Sequence, residues 1–267
     1  MIGLVVVATL NVIPGISAEV PSNPESEGWV RLFNGQNLDG WYTFLQEHGK
    51  NHDPDGIITI TNEGTIHLYR DLPDGERVVM GYIGTQQEFG NYHLRLRYRW
   101  GEKKFEPRYA LKRDAGLYYL ILGEDTVWPR SLQYQIQETD VGDLLALYGM
   151  QLDTWIDPGT QGKESPTYLD LKQGGKPFVL GGKGIGYQKR WPGSFETRGW
   201  NTIELVVKGD TSLHLLNGQI VSRAENIRLV DPERPGESTP ITKGRIALEI
   251  EAAEIEFRNV EIRMLED

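Results

Sequence analysis

From Tyr92 to Trp100 the chain alternates strictly. His93, Arg95, Arg97 and Arg99 fall on one side of an extended backbone and Leu94, Leu96, Tyr98 and Trp100 on the other, which predicts a half-buried strand. "GIITITNEGTIHLY" holds two short β-branched runs separated by Asn62-Glu63-Gly64, the signature of a hairpin. Similar patterning runs through "AGLYYLIL", "LQYQIQ", "DLLALYGMQL", "NTIELVVKG", "SLHLLNGQIVSR" and "GRIALEIEAAEIEFRNVEIRML". Gly209-Asp210 and Asn217-Gly218 supply tight turns between such runs. No segment carries a three-turn amphipathic helix. Many short strands with regular turns predict an all-β, two-sheet antiparallel sandwich of the jelly-roll kind. The Gly/Lys/Pro-rich stretch 161–198 reads as long loops around few strands, not as a linker, and no internal repeat is visible.

With 267 residues, 39% of them hydrophobic, the chain can bury a sizeable core, and the patterning favours one sandwich over residues 28–267. The net charge of −10 excludes a nucleic-acid binder, which needs a basic footprint. There is no cysteine, so neither a disulfide framework nor a thiolate zinc site is available. The apolar run Ile2–Ile13, broken by Pro14-Gly15 and followed by Ser17-Ala18, reads as a signal peptide over residues 1–18 cleaved near Ala18, with a flexible segment at 19–27. The expected location is the periplasm or the extracellular space. The run is too short for a comfortable membrane span, and there is no second candidate.

Candidate chemistry centres on "SLQYQIQETDVGD". Gln133, Gln135 and Gln137 share one face of a strand that ends in Glu138, Asp140 and Asp143. Such a row of uncharged amides is either solvated or the floor of a site that grips a neutral polar ligand such as a sugar. Sugars are bound by aromatic faces and by planar amide and carboxylate partners. Trp41, Trp128, Trp155 and Trp191 lie beside turn residues and are the candidate platforms, with burial in the core as the rival reading for each. His48, His52, His67, His93 and His214 show no ligand spacing. The acidic knot lacks an ordered calcium loop, so no cofactor is required and a divalent cation is left open. No GxSxG or cysteine nucleophile exists, and "GGKGIG" at 181–186 reads as a flexible loop.

The ordered segments "GWVRLFNGQNLDGWY", "GKNHDPDGIITITNEGTIHL", "NYHLRLRYRWGEKKFEPR", "RDAGLYYLILGEDTVWPRSLQYQIQETDVGD", "GWNTIELVVKGDTSLHLLNGQIV" and "GRIALEIEAAEIEFRNVEIR" resemble the 3-keto-disaccharide hydrolase family across residues 28–265. That resemblance implies a concanavalin-like jelly roll in an exported protein, cleaving glycosides whose sugar ring carries a ketone at C3. A C3 ketone acidifies the C2 hydrogen, so a base can form an enolate that expels the C1 aglycone, after which water adds back. Such a site needs a general base, groups that stabilise the enolate oxygen and an acid near the leaving oxygen.

The resemblance also implies glutamate where Gln133 stands, serine at Ala115, glutamate at Arg97 and glutamine at Glu249. A carboxylate has gone from 133 and charges have appeared at 97 and 249. Chemistry is therefore expected at Gln133, Glu138, Glu249 and Asp114, and substrate binding at Arg97, Arg113, Gln135, Trp128, Trp41 and Asp140. Gln133, Gln135, Arg97 and Glu249 are placed on one concave face with Asp114, Arg113 and Glu138 at its rim, and Arg97 is expected to pair with Glu249, since burying either alone is costly. Two functions remain open. One is cleavage of 3-keto-glycosides, with Glu249 or Glu138 replacing the missing glutamate. The other is lectin-like binding of a glycoside ligand without cleavage. A carboxylate close to position 133 in space separates the two.

Overall fold

The computed structural model describes residues 28–193, 195–231, 233–234 and 236–266. The leader expected at 1–18 and the segment 19–27 lie outside the described residues. Two antiparallel sheets, one of eight strands and one of eleven, make up the fold. It is an all-β concanavalin-like jelly roll.

The alternation translates directly into sides. On the strand Tyr92–Lys104 of the eleven-stranded sheet, Tyr92, Leu94, Leu96 and Tyr98 enter the core between the sheets, while His93, Arg95, Arg97 and Arg99 face outward, partly exposed. On Arg130–Gln137 of the eight-stranded sheet, Leu132, Tyr134 and Ile136 enter the same core. Gln133, Gln135 and Gln137 are thereby committed to that sheet's outer face. The hairpin predicted around Asn62-Glu63-Gly64 forms, with Ile58–Ile60 paired to Ile66–Leu68. Asn217 and Gly218 both take positive φ, 47° and 79°, between the paired strands Thr211–Leu216 and Gln219–Val230, the geometry that two-residue hairpins favour.

Two runs that read as continuous are each split between the sheets. "DLLALYGMQL" becomes Leu144–Leu147 in the eight-stranded sheet and Met150–Ile156 in the other, with Tyr148 and Gly149 at φ 50° and 95° between them. The C-terminal run likewise becomes Arg245–Ile250 in the eight-stranded sheet and Ala253–Met264 in the eleven-stranded one. It turns at Glu251-Ala252, where Ala252 takes φ 57°. These crossings close the ends of the sandwich. They also leave Glu249 and Glu251, two residues apart, on the outer side of the eight-stranded sheet. Among the described residues no helix is long and apolar enough to cross a membrane.

Candidate active site

Five neighbouring strands build the outer face of the eight-stranded sheet: Arg130–Gln137, Asp114–Leu122, Arg245–Ile250, Gly81–Thr85 and Trp41–Leu45. Cross-strand register sorts their outward residues into rows. Asp114 lies between Gln137 on one side and Glu251 on the other. Gly116 is opposite Gln135, and Glu249 is opposite Tyr82, which in turn is opposite Phe44. Tyr118 lies between Gln133 and Ala247, which leads on to Gly84 and Tyr42. One half of the face is thus amide and carboxyl, the other aromatic.

The polar half is a closed chain of hydrogen bonds. Gln133 Nε2 donates to Gln135 Oε1 at 2.7 Å and to Glu249 Oε2 at 2.7 Å. Gln135 Nε2 donates to Asp114 Oδ1 at 2.9 Å and Gln137 Nε2 to Asp114 Oδ2 at 2.6 Å. The Tyr118 hydroxyl donates to Glu249 Oε1. Glu249 and Glu251 share a hydrogen bond. Arg108, from the loop between two strands, reaches in to pair with Asp114 and with Glu251, the latter at 3.0 Å. Gly116 makes the contact possible: a Cβ there would lie 2.4 Å from Glu249 Oε2 and 2.5 Å from Gln133 Nε2.

Three carboxyls therefore cluster beside one guanidinium, which contacts two of them. Burial, then the charge of Glu251, raise Asp114 to about 8, against the opposing pull of Arg108. Burial followed by the charges of Glu251 and Asp114 holds Glu249 far above the ordinary carboxyl range, and burial also raises Glu251. Glu249 is 1% exposed and its nearest polar partners are an amide and a phenol, whereas Glu251 and Asp114 both touch Arg108. Of the three, Glu249 is consequently the carboxyl that holds its proton most firmly at neutral pH. Among the described residues no group of three or more His, Asp or Glu is arranged to hold a metal ion.

The aromatic half is organised by Asp125, from the loop after Leu122. It accepts from the Tyr42 hydroxyl at 2.7 Å, the Tyr82 hydroxyl at 2.5 Å and Arg245 Nη1 at 2.8 Å. These bonds hold its carboxyl down at about 2 although burial opposes them. Phe44 stacks on Tyr82 with centroids 5.6 Å apart, and Tyr82 meets Tyr118 edge-on at 6.3 Å. Trp128, three residues beyond Asp125, stands 40% exposed beside this wall's loop.

The structure brings Gln133, Gln135, Asp114 and Glu249 together as expected and separates the others. Arg97 does not pair with Glu249. It projects from the outer face of the opposite sheet, because its strand alternates Arg outward in the eleven-stranded sheet while Glu249 points outward from the eight-stranded one. The cation that compensates the carboxyls is Arg108. Trp41 is not a platform: it is 4% exposed in the core and donates its indole N–H to Leu32 O at 2.7 Å. The neighbouring Tyr42 takes the outward position. The acidic knot disperses. Glu138 binds Arg113 at 2.7 Å, Asp140 binds Lys112 at 2.7 Å, and buried Asp143 accepts from Tyr187 at 2.8 Å. Arg113 and Glu138 are occupied with each other, and Arg113 also donates to Gly101 O, so neither joins the amide chain.

Glu251, Arg108, Tyr118, Tyr82, Tyr42, Asp125 and Arg245 went unrecognised in the sequence. The i, i+2, i+4 spacing of Asp114, Gly116 and Tyr118, and the i, i+2 spacing of Glu249 and Glu251, carried the signal for two of them. Arg108 and Asp125 arrive on loops, where no periodicity marks them.

The family profile for the 3-keto-alpha-glucoside-1,2-lyase-like domain matches residues 28–263. The chain belongs to this family. No curated protein matches it in sequence. A candidate glycosyl hydrolase from Parabacteroides distasonis superposes with a TM-score of 0.53 at 19% identity, covering 93% of this chain and 99% of that one. A second from the same organism gives a TM-score of 0.51 at 17% identity, covering 89% and 99%. At such identities these likenesses establish the shared jelly roll. Within the family's fold, the amide row and the three carboxyls of this chain occupy one face of one sheet.

Proposed function

We propose that the protein cleaves glycosides bearing a ketone at C3 of the sugar ring, by elimination followed by hydration. The observation that carries this reading is the Glu249 carboxyl 2.7 Å from the Gln133 amide. A titratable group stands beside position 133, where the resemblance implies a glutamate and this chain carries an amide that cannot take up a proton at neutral pH. The roles divide by charge. An ionised carboxylate of the Asp114–Glu251 pair removes the C2 hydrogen, and the electron pair passes into the C3 carbonyl as an enolate. The enolate then re-forms the carbonyl, makes the C1–C2 double bond and expels the C1 oxygen, which takes the proton held by Glu249. Tyr118 and Arg108 are the donors for the enolate oxygen. Asp114, raised to about 8, is a strong base once ionised, and its ionised fraction grows as pH rises toward that value.

Substrate approaches from the Arg108 and Gln137 edge, where the network meets solvent, with Trp128 and the tyrosine wall receiving the sugar's C–H faces. The same proposal takes the apolar run at 2–13 as an export signal, so that this activity would act outside the cytoplasm. The second reading, binding without cleavage, is favoured by the amides Gln133, Gln135 and Gln137 already engaging Glu249 and Asp114. Incubation of the protein with a 3-keto-glucoside and with its parent glucoside, with and without chelator, separates the two. Aglycone release from the 3-keto compound alone, indifferent to chelator, supports cleavage; saturable binding without release supports the lectin-like reading.

A further inference from the structure

Arg97, absent from the carboxyl site, sits in an unusual row of the opposite sheet. On the outer face of the eleven-stranded sheet, Arg95 is flanked by Glu204 and Glu261 and is bonded to Glu261 at 2.7 Å. Arg99 lies opposite Glu256, which accepts from its Nε at 3.0 Å. Between these compensated rows, Arg97 lies between Thr202 and Arg258. Two guanidiniums thus face one another directly across a strand pair, an arrangement that repels.

Neither finds a partner. The buried Nε atoms of Arg97 and Arg258 have no hydrogen-bond acceptor among the described residues, and no carboxylate is paired with either. Both lie over Trp200 together with Arg99, at 3.9 Å for Arg258, 4.8 Å for Arg99 and 5.9 Å for Arg97 from its ring centroid. Burial and the charges of Arg97 and Arg99 lower the Arg258 pKa, only partly offset by Glu256 and Glu63. In a chain of net charge −10, three guanidiniums left with one carboxylate bonded among them form a local excess of donors. Guanidinium forks are built for oxyanions.

We propose that Arg97, Arg99 and Arg258, assembled on Trp200, form an oxyanion-binding site that anchors an acidic polysaccharide through its sulfate or carboxylate groups. The site is on the sheet opposite the carboxyl cluster, so it would tether the polymer without occupying that cluster. The choice of a glycan rests on the proposed function. A nucleic acid is disfavoured: the patch spans two adjacent rows, with Glu204, Glu261 and Glu256 immediately around it, whereas a phosphate backbone demands an extended basic track.

The test is affinity electrophoresis of the full chain in gels containing dextran sulfate, a polyuronate, neutral dextran or single-stranded DNA. Wild-type protein should be retarded by one or both acidic polysaccharides, in a salt-sensitive way, and by neither neutral dextran nor DNA. Which polymer retards it identifies the oxyanion. Arg97→Gln and Arg258→Gln should each weaken retention roughly tenfold, while Arg234→Gln on a distant exposed loop should not. Removing one of two repelling charges should also leave the unliganded thermal midpoint unchanged or raised, which certifies that the variants are folded. Retention in both variants equal to that of the wild type, retention by neutral dextran, or preference for DNA would each overturn the proposal. None of these outcomes depends on turnover, so failure here and failure of the cleavage reading are distinguishable.

Discussion

Gln133 and Glu249 meet across a strand that carries no side chain between them. The amide of one and the carboxyl of the other are 2.7 Å apart over Gly116. Glu249 thereby stands in the centre of the face, on a strand where Tyr118 and Glu251 also reach it.

Gly116→Ala should be destabilising although its backbone conformation suits any residue. The added methyl would press against Glu249 and Gln133 at 2.4 and 2.5 Å, an overpacking that typically costs about 1–3 kcal/mol. Urea unfolding of the variant should show the loss, and Gln133→Ala in the same chain should restore part of it. An undiminished midpoint in Gly116→Ala would mean that the two side chains are not held together.

Stability should fall as pH rises. The carboxyls of Asp114, Glu249 and Glu251 are raised in the folded state, so the folded protein binds more protons than the unfolded chain above the ordinary carboxyl range. Stability contributed by the retained protons is complete below the unfolded value of about 4 and is lost progressively as pH rises through the folded values, that of Asp114 lying at about 8. Asp125, held at about 2, acts oppositely and only in strong acid. Thermal midpoints from pH 5 to 9 should decline in the wild type and decline less in Glu249→Gln, which cannot lose that proton. Identical slopes would place the titration elsewhere.

Fold and site were unequally legible. Alternation in "YHLRLRYRW" and "LQYQIQ" set sides correctly because a strand's period of two ties each residue to a face. The same rule, applied one residue further, assigns Tyr42 and not Trp41 to the outer face, since Leu45 and Trp41 both point into the core. Pairing across sheets was not legible. Arg97 and Glu249 each face outward from their own strand, but which sheet each strand joins depends on crossings at Tyr148-Gly149 and Glu251-Ala252, inside runs with no break in hydrophobicity. Arg108 and Asp125 were hidden for a different reason: loop residues acquire their neighbours only from tertiary packing.

Asp125→Asn should loosen the aromatic half. One carboxylate accepts from Tyr42, Tyr82 and Arg245, and hydrogen bonds to a charged group contribute about 1.5–3 kcal/mol. A loss near 2 kcal/mol in chemical denaturation is expected, with near-ultraviolet circular dichroism altered by the freed tyrosines. A silent substitution would remove Asp125 as the organiser of the wall.

Trp128→Ala should separate binding from folding. The ring is 40% exposed, so the stability change should stay within about 0.5 kcal/mol. If it receives the sugar, affinity for a 3-keto-glucoside should fall by roughly two- to tenfold, the size of a single aromatic contact. Calorimetric titration of both proteins checks this, and equal affinities would exclude Trp128 from the sugar's path.

The most direct measurement is turnover of a chromogenic 3-keto-glucoside by wild type and by Glu249→Gln, with binding of the same compound measured alongside. Glutamine keeps the shape and the hydrogen bond to Gln133 but holds no transferable proton. Loss of a positioned acid or base lowers rates by roughly 10²–10⁴-fold, so turnover in the variant should drop by that order while affinity stays within a few-fold. Wild-type release that survives unchanged in Glu249→Gln would contradict the assignment of the chemistry to this carboxyl.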